Sequence, residues 1–476
     1  MSAQLYGGWR RVRSLGLSGL DGRQTLTVAV AVVVPLVVAL FAGVGTAAWL
    51  LPASALVALA GLIRVRGVWI VDLIIAWLGF TRARLRGQTT YRGQWLAPYP
   101  RKWDLPGVLA PTRLLHLSDP GRGGAGLVWH QRSGKMTATY LLSPTGALLA
   151  DSGTVAYQVG AWGQTLASLA DETAVSHAAV TIDLTPARGS HLPGHVADRV
   201  DPTSPPLAQQ IMDEVVAAAP DTTTRIRARL SLTVDTARTG ARDVTGAVAE
   251  TLRALGGLSL SAAGVDVLRR ASADDIAAIM RNAYDPDSET VTDPARWGEL
   301  DWPDVGPMAA QEEWGHYVHD GAYSMTWCLV EAPRQLVSHD VLLPLLLPGP
   351  YPRRLTILYR TLSREEAGTV LKRERDAATA RRIYDHKTGR DPSARDEADA
   401  ADAERAAVEE ARGAGLTEFS LFITTTVSTL EELVEARRHI EQAASQARLR
   451  IRPCWGGQAA AFATGLGVAG LYPPDL

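Results

Sequence analysis

The feature that most constrains this sequence is a run of 39 residues, 25–63, that contains no charged side chain. A helix that crosses a bilayer needs about 20 apolar residues, so the run is long enough for two crossings. Gly43, Gly45 and Pro52 lie near its middle, where a turn between two helices is expected. The run therefore predicts a transmembrane helical hairpin, with helices near residues 25–42 and 47–63.

A signal peptide and a buried core helix are the alternatives for this run. A signal peptide has a much shorter apolar region, about 7–15 residues, and a cleavage site of small residues. A core helix of this kind would need a more apolar protein around it than one with 46% hydrophobic and 21% charged residues. The membrane hairpin is thus the stronger interpretation of the sequence.

Basic residues flank the run on both sides and are missing from its middle. They are Arg10, Arg11, Arg13 and Arg23 before it, and Arg64, Arg66, Arg82, Arg84 and Arg86 after it. Because Lys and Arg collect on the cytoplasmic side of membrane proteins, the pattern predicts two spans in the inner (plasma) membrane with both chain ends in the cytoplasm. Residues 1–24 would then form a basic cytoplasmic leader.

Charge and cysteine content agree with that orientation. Residues 1–104 carry a net charge of +9, and because the whole chain carries −2, the remainder carries −11. A basic part near the membrane and an acidic cytoplasmic part are expected. The chain has only two cysteines, Cys328 and Cys454, which indicates a reducing compartment without a disulfide framework.

Residues 64–92 are predicted to form an amphipathic helix at the membrane interface. Tryptophan favours the depth of the lipid headgroups, and arginine favours their phosphates. The candidate membrane-interface residues are Trp69, Trp77, Arg82, Arg84 and Arg86. An ordinary core helix with a basic end is the alternative for this segment.

The rest of the chain predicts a proline-rich linker and two folded units. Residues 93–112 form the linker, and residues 113–312 alternate between strand-like and helical patterns, which indicates an α/β domain. Within it, alternation over residues 222–236 places Arg225, Arg227 and Arg229 on one face of a strand.

The second unit, residues 313–476, begins with a strand at 323–330 and contains a long charged helical hairpin at 363–412. A strand, a helix and a strand then follow at 418–426, 430–447 and 449–453, an order typical of a ferredoxin-like half. The predicted fold class is therefore a membrane α-helical hairpin plus cytoplasmic α/β (α+β, ferredoxin-like elements) domains.

Two separate regions resemble parts of one known system. Residues 17–93 resemble the PrgI family of two-helix inner-membrane subunits, through Gly19-Leu20 and Arg23-Gln24 before the hairpin and Tyr91-Arg92-Gly93 after it. The later part resembles the N-terminal, non-motor domain of conjugative type IV secretion ATPases. The segments that carry this second resemblance are 321–330 with Pro333, the charged helical pair, 419–426 with the helix from Thr429, and Gln458-Ala459-Ala460-Ala461-Phe462.

The resemblance implies a non-enzymatic inner-membrane subunit of a type IV secretion or conjugation-like machine of actinobacterial type. In that family an ATPase domain follows, and the sequence ends at Leu476 without one, so a motor ATPase on a separate chain is the expected partner. Other membrane subunits, the lipid bilayer and further copies of the chain are expected partners too, with nucleic acid only as cargo. A membrane component of a type VII (ESX-like) apparatus is the alternative, and a membrane-tethered enzyme is the second.

Three groups of residues are candidates for a chemical site, and none has the spacing that its chemistry needs. Ser133-Gly134-Lys135-Met136 lacks the first glycine and the Ser or Thr of a phosphate-binding loop, and it lies between two strands. His316, His319, Cys328 and His339 are too scattered for a structural zinc site. Ser190, His191 and His195 lack a nucleophile elbow. The sequence thus assigns no catalytic, cofactor-binding or metal-binding residue, and it predicts no cofactor.

Overall fold

A computed structural model describes the chain over most of its length. The described residues are 6–7, 9, 22–65, 68–93, 104–117, 124–146, 150–186, 196, 201, 204–218, 224–256, 258–286, 302–333, 335–388, 397, 401, 404–408 and 416–473.

Most described strands belong to one 13-stranded sheet. Two short strands, β1 (Arg64–Val65) and β2 (Val68–Trp69), pair only with each other. The large sheet contains β3 (Thr90–Arg92), β4 (Thr112–Leu117), β5 (Ala125–His130), β6 (Lys135–Pro144), β7 (Val175–Pro186), β8 (Thr224–Asp235), β9 (Val265–Arg270), β10 (Ala309–Glu312), β11 (Tyr317–His319), β12 (Ala322–Glu331), β13 (Arg353–Thr361), β14 (Thr417–Val427) and β15 (Arg450–Pro453).

The strand order is β3-β10-β11-β12-β14-β13-β7-β8-β6-β5-β4, with β15 beside β12 and β9 beside β6. Every pairing in the sheet is antiparallel. The fold is therefore α+β, and the prediction of α/β domains is wrong, because that class is built on parallel strands. Strands from residues 113–312 and from residues 313–476 also share this one sheet, joined where β7 pairs with β13.

Eleven α-helices are present in the described residues. They are α1 (Gly22–Ala42), α2 (Val44–Leu62), α3 (Ile70–Leu85), α4 (Ser152–Asp171), α5 (Pro206–Ala218), α6 (Val244–Ala254), α7 (Ala273–Tyr284), α8 (Leu343–Leu346), α9 (Arg364–Thr388), α10 (Leu430–Gln446) and α11 (Gln458–Gly465). Several begin at the polar N-caps that such sequences favour, such as Asp151, Ser272 and Thr429.

The predicted transmembrane hairpin is the main correction. No helix in the described stretches combines the length and the apolar composition that a bilayer crossing requires. Helix α1 begins at Gly22, and the charged Arg23 lies in its first turn. Pro35 and Pro52 each remove a backbone hydrogen bond inside a helix. This finding overturns the membrane hairpin at residues 25–63 and the inner-membrane localisation with two spans.

The segment predicted as an interfacial helix contains α3, which begins directly after Trp69. The Phe80 ring packs edge-on against Trp314, with ring centroids 5.5 Å apart. Arg84 lies 3.6 Å from the Glu313 carboxylate, whereas the Trp77 side chain is exposed. The end of α3 thus contacts the loop before β11, and lipid contact by Trp69, Trp77, Arg82, Arg84 and Arg86 stays a prediction.

The two faces of the sheet differ in chemistry, because neighbouring residues of a strand point to opposite sides. One face carries buried hydroxyl side chains, and we call it the hydroxyl face. Its members include Thr137, Thr139, Thr181, Ser231, Thr233, Thr326, Thr356 and Thr424. They bond across strands, as in Thr181 with Thr356 at 3.1 Å and Thr326 with Thr424 at 3.0 Å.

The opposite face is apolar and forms two hydrophobic clusters. Trp327, Leu355 and Ile423 pack with Leu433 and Ile440 of α10. The second cluster contains Leu230, Leu232 and Val234 of β8, with Trp162 of α4 packed against it. Helices cover this face because its strands alternate between apolar and polar residues.

The C-terminal residues 458–472 cross the hydroxyl face, and we call them the C-terminal strap. The strap contains α11 and a buried, glycine-rich extension. Gln458 is buried beside Thr326 of β12, Gly467 lies against Thr181 of β7, and Tyr472 stacks near His177. The strap therefore passes over the central strands, and its small residues allow the backbone to approach them closely.

Two predicted elements of the second unit are also visible. The β14-α10-β15 order is present, and β12 lies between β14 and β15, as in a split β-α-β unit. Helix α9 covers the first part of the charged region 363–412. In the second part, residues 404–408 are helical, and most of the remainder lies outside the described residues.

Candidate anion-binding site

An aspartate and two arginines form a buried ion cluster on the hydroxyl face. The Asp183 carboxylate of β7 accepts a hydrogen bond from Nη1 of Arg229 on β8. Its other oxygen accepts one from Nε of Arg354 on β13, at 2.7 Å. The side chain of Arg229 is 3% exposed and that of Arg354 is 13% exposed. One carboxylate thus pairs with two guanidinium groups that are largely shielded from water.

The register of the sheet brings these residues together. Arg354 is the direct partner of Asp183 in one neighbouring strand, and Arg227 is its partner in the other. Arg229 is two residues along β8 from Arg227 and so points to the same face. Three arginines therefore surround one aspartate, and the row continues into Thr424 of β14.

The electrostatics of the cluster favour the charged forms of all three groups. Burial by itself raises the pKa of Asp183, but the adjacent Arg229 and Arg354 guanidinium groups outweigh burial and hold that pKa well below its ordinary value. Arginine stays protonated in proteins. The cluster of Asp183, Arg229 and Arg354 consequently carries a net positive charge.

A cavity of about 120 Å³ opens beside the cluster. Its walls include Asp183, Arg227, Arg229, Arg354, Thr424 and Asn282. Two buried donor atoms of these arginines, Nε of Arg229 and Nη1 of Arg354, have no hydrogen-bond partner. Buried polar atoms are almost always paired, so these two donors are suited to an acceptor that enters the cavity.

The C-terminal strap supports the cluster from one side. Nη2 of Arg229 donates to the Leu466 carbonyl at 2.8 Å, and the Thr356 hydroxyl donates to the Gly465 carbonyl at 2.6 Å. The guanidinium of Arg354 also lies 5.9 Å from the centre of the Phe462 ring, within the range of a cation–π contact. The orientation of both buried arginines therefore depends on the strap.

The histidines and cysteine considered as metal ligands do not form a site together. His319 is buried, with Nδ1 2.5 Å from the Tyr284 carbonyl and Nε2 2.7 Å from the Ser324 hydroxyl. His339 is exposed. Cys328 and Cys454 are both free thiols, and a hydrogen bond between them lowers the pKa of Cys328. In the described part of the chain, no three His, Cys, Asp or Glu side chains are arranged to hold a metal ion.

Two further candidates from the sequence are the segment 133–136 and the group Ser190, His191 and His195. Residues 131–134 form the turn between β5 and β6, which confirms that this segment lies between two strands, and Gly134 has a positive φ of 66°. Ser190, His191 and His195 lie outside the described residues.

His319 predicts a loss of stability in mild acid. Burial lowers its pKa to about 4, so the folded protein resists protonation of a side chain that the unfolded chain protonates near pH 6.5. The free energy of unfolding should therefore fall as the pH drops from 6.5 towards 4, by about 2 kcal/mol at pH 5. Urea unfolding at pH 7.5 and pH 5 measures this loss.

The matched comparison is between His319→Gln and His339→Gln. The first variant should lose most of the pH-dependent difference, whereas the exposed His339 variant should retain it. An unchanged pH dependence in His319→Gln would show that other groups cause the acid sensitivity.

Comparison with known proteins gives no family assignment. No protein-family model matches the chain, and no curated protein matches it in sequence. The resemblance to PrgI-like subunits and to type IV secretion ATPases therefore stays a prediction.

Sequence reasoning found part of the anion-binding cluster and missed the rest. Alternation in residues 222–236 placed Arg225, Arg227 and Arg229 on one face, as the structure has them. Asp183 and Arg354 gave no signal in the sequence, because the three residues are far apart along the chain. Asp183 and Arg229 are separated by 46 residues, and Asp183 and Arg354 by 171 residues. A row of three arginines on one face of a predicted strand was the available indication.

Proposed function

We propose that the chain is a non-enzymatic subunit of a type IV secretion or conjugation-like machine and binds the separately encoded motor ATPase of that machine. The observation that carries this proposal is how the segments resembling the non-motor domain pack. Residues 321–330, 419–426 and 458–462 are far apart in sequence. In the fold, β12 pairs with β14, and α11 packs on both strands.

Gln458 fixes α11 to this unit. Its side-chain oxygen accepts from the Thr326 amide at 2.8 Å, and its nitrogen donates to the Thr326 carbonyl at 3.2 Å. Gln458 and Phe462 are both fully buried. The Gln-x-x-x-Phe spacing thus places two anchoring side chains one helical turn apart. This contact supports the proposal, because it makes the resembling segments one structural unit.

Exposed apolar side chains give a second support. Phe41 is 83% exposed and Trp49 is 87% exposed in the α1–α2 hairpin, and α5 exposes Leu207, Ile211 and Val215. Contiguous exposed apolar surface is typical of a protein that assembles with others. A subunit of a larger machine would bury such surface against its neighbouring subunits.

Affinity purification of the tagged full-length chain from its native cells, followed by mass spectrometry, tests the proposal. Recovery of a chain with one motor domain of the conjugative type is expected. Recovery of a chain with several tandem motor domains would instead assign the protein to a type VII apparatus. Purification of the chain without any ATPase, from a preparation in which other complexes of the cell remain intact, would contradict the proposal.

A further inference from the structure

We propose that the cavity beside Asp183 is a binding site for a phosphate group, held by Arg227, Arg229 and Arg354. This inference goes beyond the proposed assembly function and does not depend on it. It rests on the charge of the cavity wall, on its unpartnered donors and on its size.

The ion cluster in the cavity wall has a net positive charge. Two guanidinium groups, those of Arg229 and Arg354, contact one carboxylate, so this ion cluster keeps one positive charge in excess. Buried charges normally have partners of opposite sign. A phosphate group brings negative charge that would balance this excess.

Two donor atoms of the buried cluster lack an acceptor. Asp183 engages Nη1 of Arg229 and Nε of Arg354, which leaves Nε of Arg229 and Nη1 of Arg354 buried without an acceptor. The guanidinium group has its donors in a fixed plane that matches two oxygens of a phosphate. A phosphate in the cavity would supply acceptors to both arginines, and Asp183 holds these arginines in place.

The volume of the cavity and its opening to solvent limit which ligand can bind. The cavity of about 120 Å³ is well below the roughly 300–1,000 Å³ that a drug-sized ligand or cofactor occupies. It therefore accepts one phosphate group and not a whole nucleotide. Arg227 is exposed, whereas Arg229 is buried, so the group would enter past Arg227. Both free inorganic phosphate and the terminal phosphate of a larger molecule meet these conditions.

Arg227 and Arg225 form a matched pair for a test. Both are exposed, they are two residues apart on β8 and they point to the same side of the sheet. Only Arg227 lines the cavity. Arg227→Gln should therefore weaken phosphate binding, and Arg225→Gln should leave it nearly unchanged although it removes the same charge.

Isothermal titration calorimetry of the full chain with inorganic phosphate, at constant ionic strength, makes this measurement. We expect saturable binding that Arg227→Gln weakens at least about tenfold, in line with the loss of a charge-assisted hydrogen bond. Arg225→Gln should change the affinity less than about twofold. Arg227→Lys should give an intermediate value, because lysine keeps the charge but loses the paired donors.

The outcomes separate the sources of the phosphate. Binding of inorganic phosphate supports a free-anion site, and binding of ATP alone, with the same loss in Arg227→Gln, supports a phosphate carried on a larger molecule. No binding of either probe overturns the proposal. An equal loss in Arg225→Gln and Arg227→Gln also overturns it, because general surface charge would then explain the binding. Circular dichroism of each variant verifies that it is folded.

Discussion

Replacing Asp183 with asparagine is expected to destabilise the protein by about 3–5 kcal/mol, the usual cost of removing one partner from a buried ion pair. The side chains of Arg229 and Arg354 are 3% and 13% exposed, and both donate to the Asp183 carboxylate. In the variant, two guanidinium charges would remain buried next to each other with a neutral amide between them. Chemical denaturation at pH 7, with the free energy of unfolding extrapolated to water, measures the loss.

Asp243→Asn is the matched control for this change. Asp243 is an exposed N-cap of α6 whose carboxylate accepts from the Gly246 amide at 2.8 Å. Asparagine caps helices about as well as aspartate, so the control should change stability by less than about 0.5 kcal/mol. If Asp183→Asn cost no more than this control, the buried cluster would not hold the sheet as described.

The effect of Asp183→Asn should also depend on pH. The folded-state pKa of Asp183 is depressed, so its contribution to stability is complete above the ordinary aspartate pKa, about 3.9, and is lost as the pH falls below it. The difference between the native protein and Asp183→Asn should therefore be constant from pH 7 to pH 5 and shrink below pH 4. The Asp183 effect changes below pH 4, whereas the His319 effect develops between pH 6.5 and pH 4, so the two titrations can be separated.

Local sequence pattern predicted many elements of this fold, because strands and helices depend on neighbouring residues. The β5–β6 hairpin, the arginine face of β8 and the β14-α10-β15 order all follow from alternation, turn residues and capping residues. These features need no knowledge of what lies across the sheet.

Features that depend on distant partners could not be predicted in this way. The antiparallel sheet requires β7 to pair with β8 and β13, and the register that aligns Asp183 with Arg354 is set by packing across the whole sheet. The charge-free run at 25–63 predicts two helices, which the structure contains, but absence of charge alone does not make a helix long and apolar enough to cross a bilayer. The C-terminal strap has mostly small residues, and such a segment gives no periodic signal.

Gly467→Ala is expected to destabilise the protein by about 3 kcal/mol, because two costs combine at this position. Gly467 lies in the middle of the C-terminal strap with φ at 73°, in the left-handed region that other residues rarely adopt. An added Cβ would also collide with Oγ1 of Thr181. That hydroxyl is fully buried and held by Thr356 at 3.1 Å, so it cannot move aside easily.

Gly163→Ala is the control, since Gly163 lies inside α4 with open space around its Cα. Alanine there should stabilise the protein by about 0.5–1 kcal/mol, as expected for glycine replaced in a helix interior.

A double-mutant cycle with Thr181→Ala separates the two costs at Gly467. Removing the Thr181 hydroxyl relieves the collision but leaves the left-handed backbone, and Thr356 keeps its hydrogen bond to the Gly465 carbonyl. The two substitutions should therefore be coupled by at least about 1 kcal/mol, measured by chemical denaturation of the four proteins. Strictly additive effects would mean that the strap does not lie against Thr181. Because Arg229 donates to the Leu466 carbonyl, Gly467→Ala should also weaken phosphate binding, and Gly163→Ala should not.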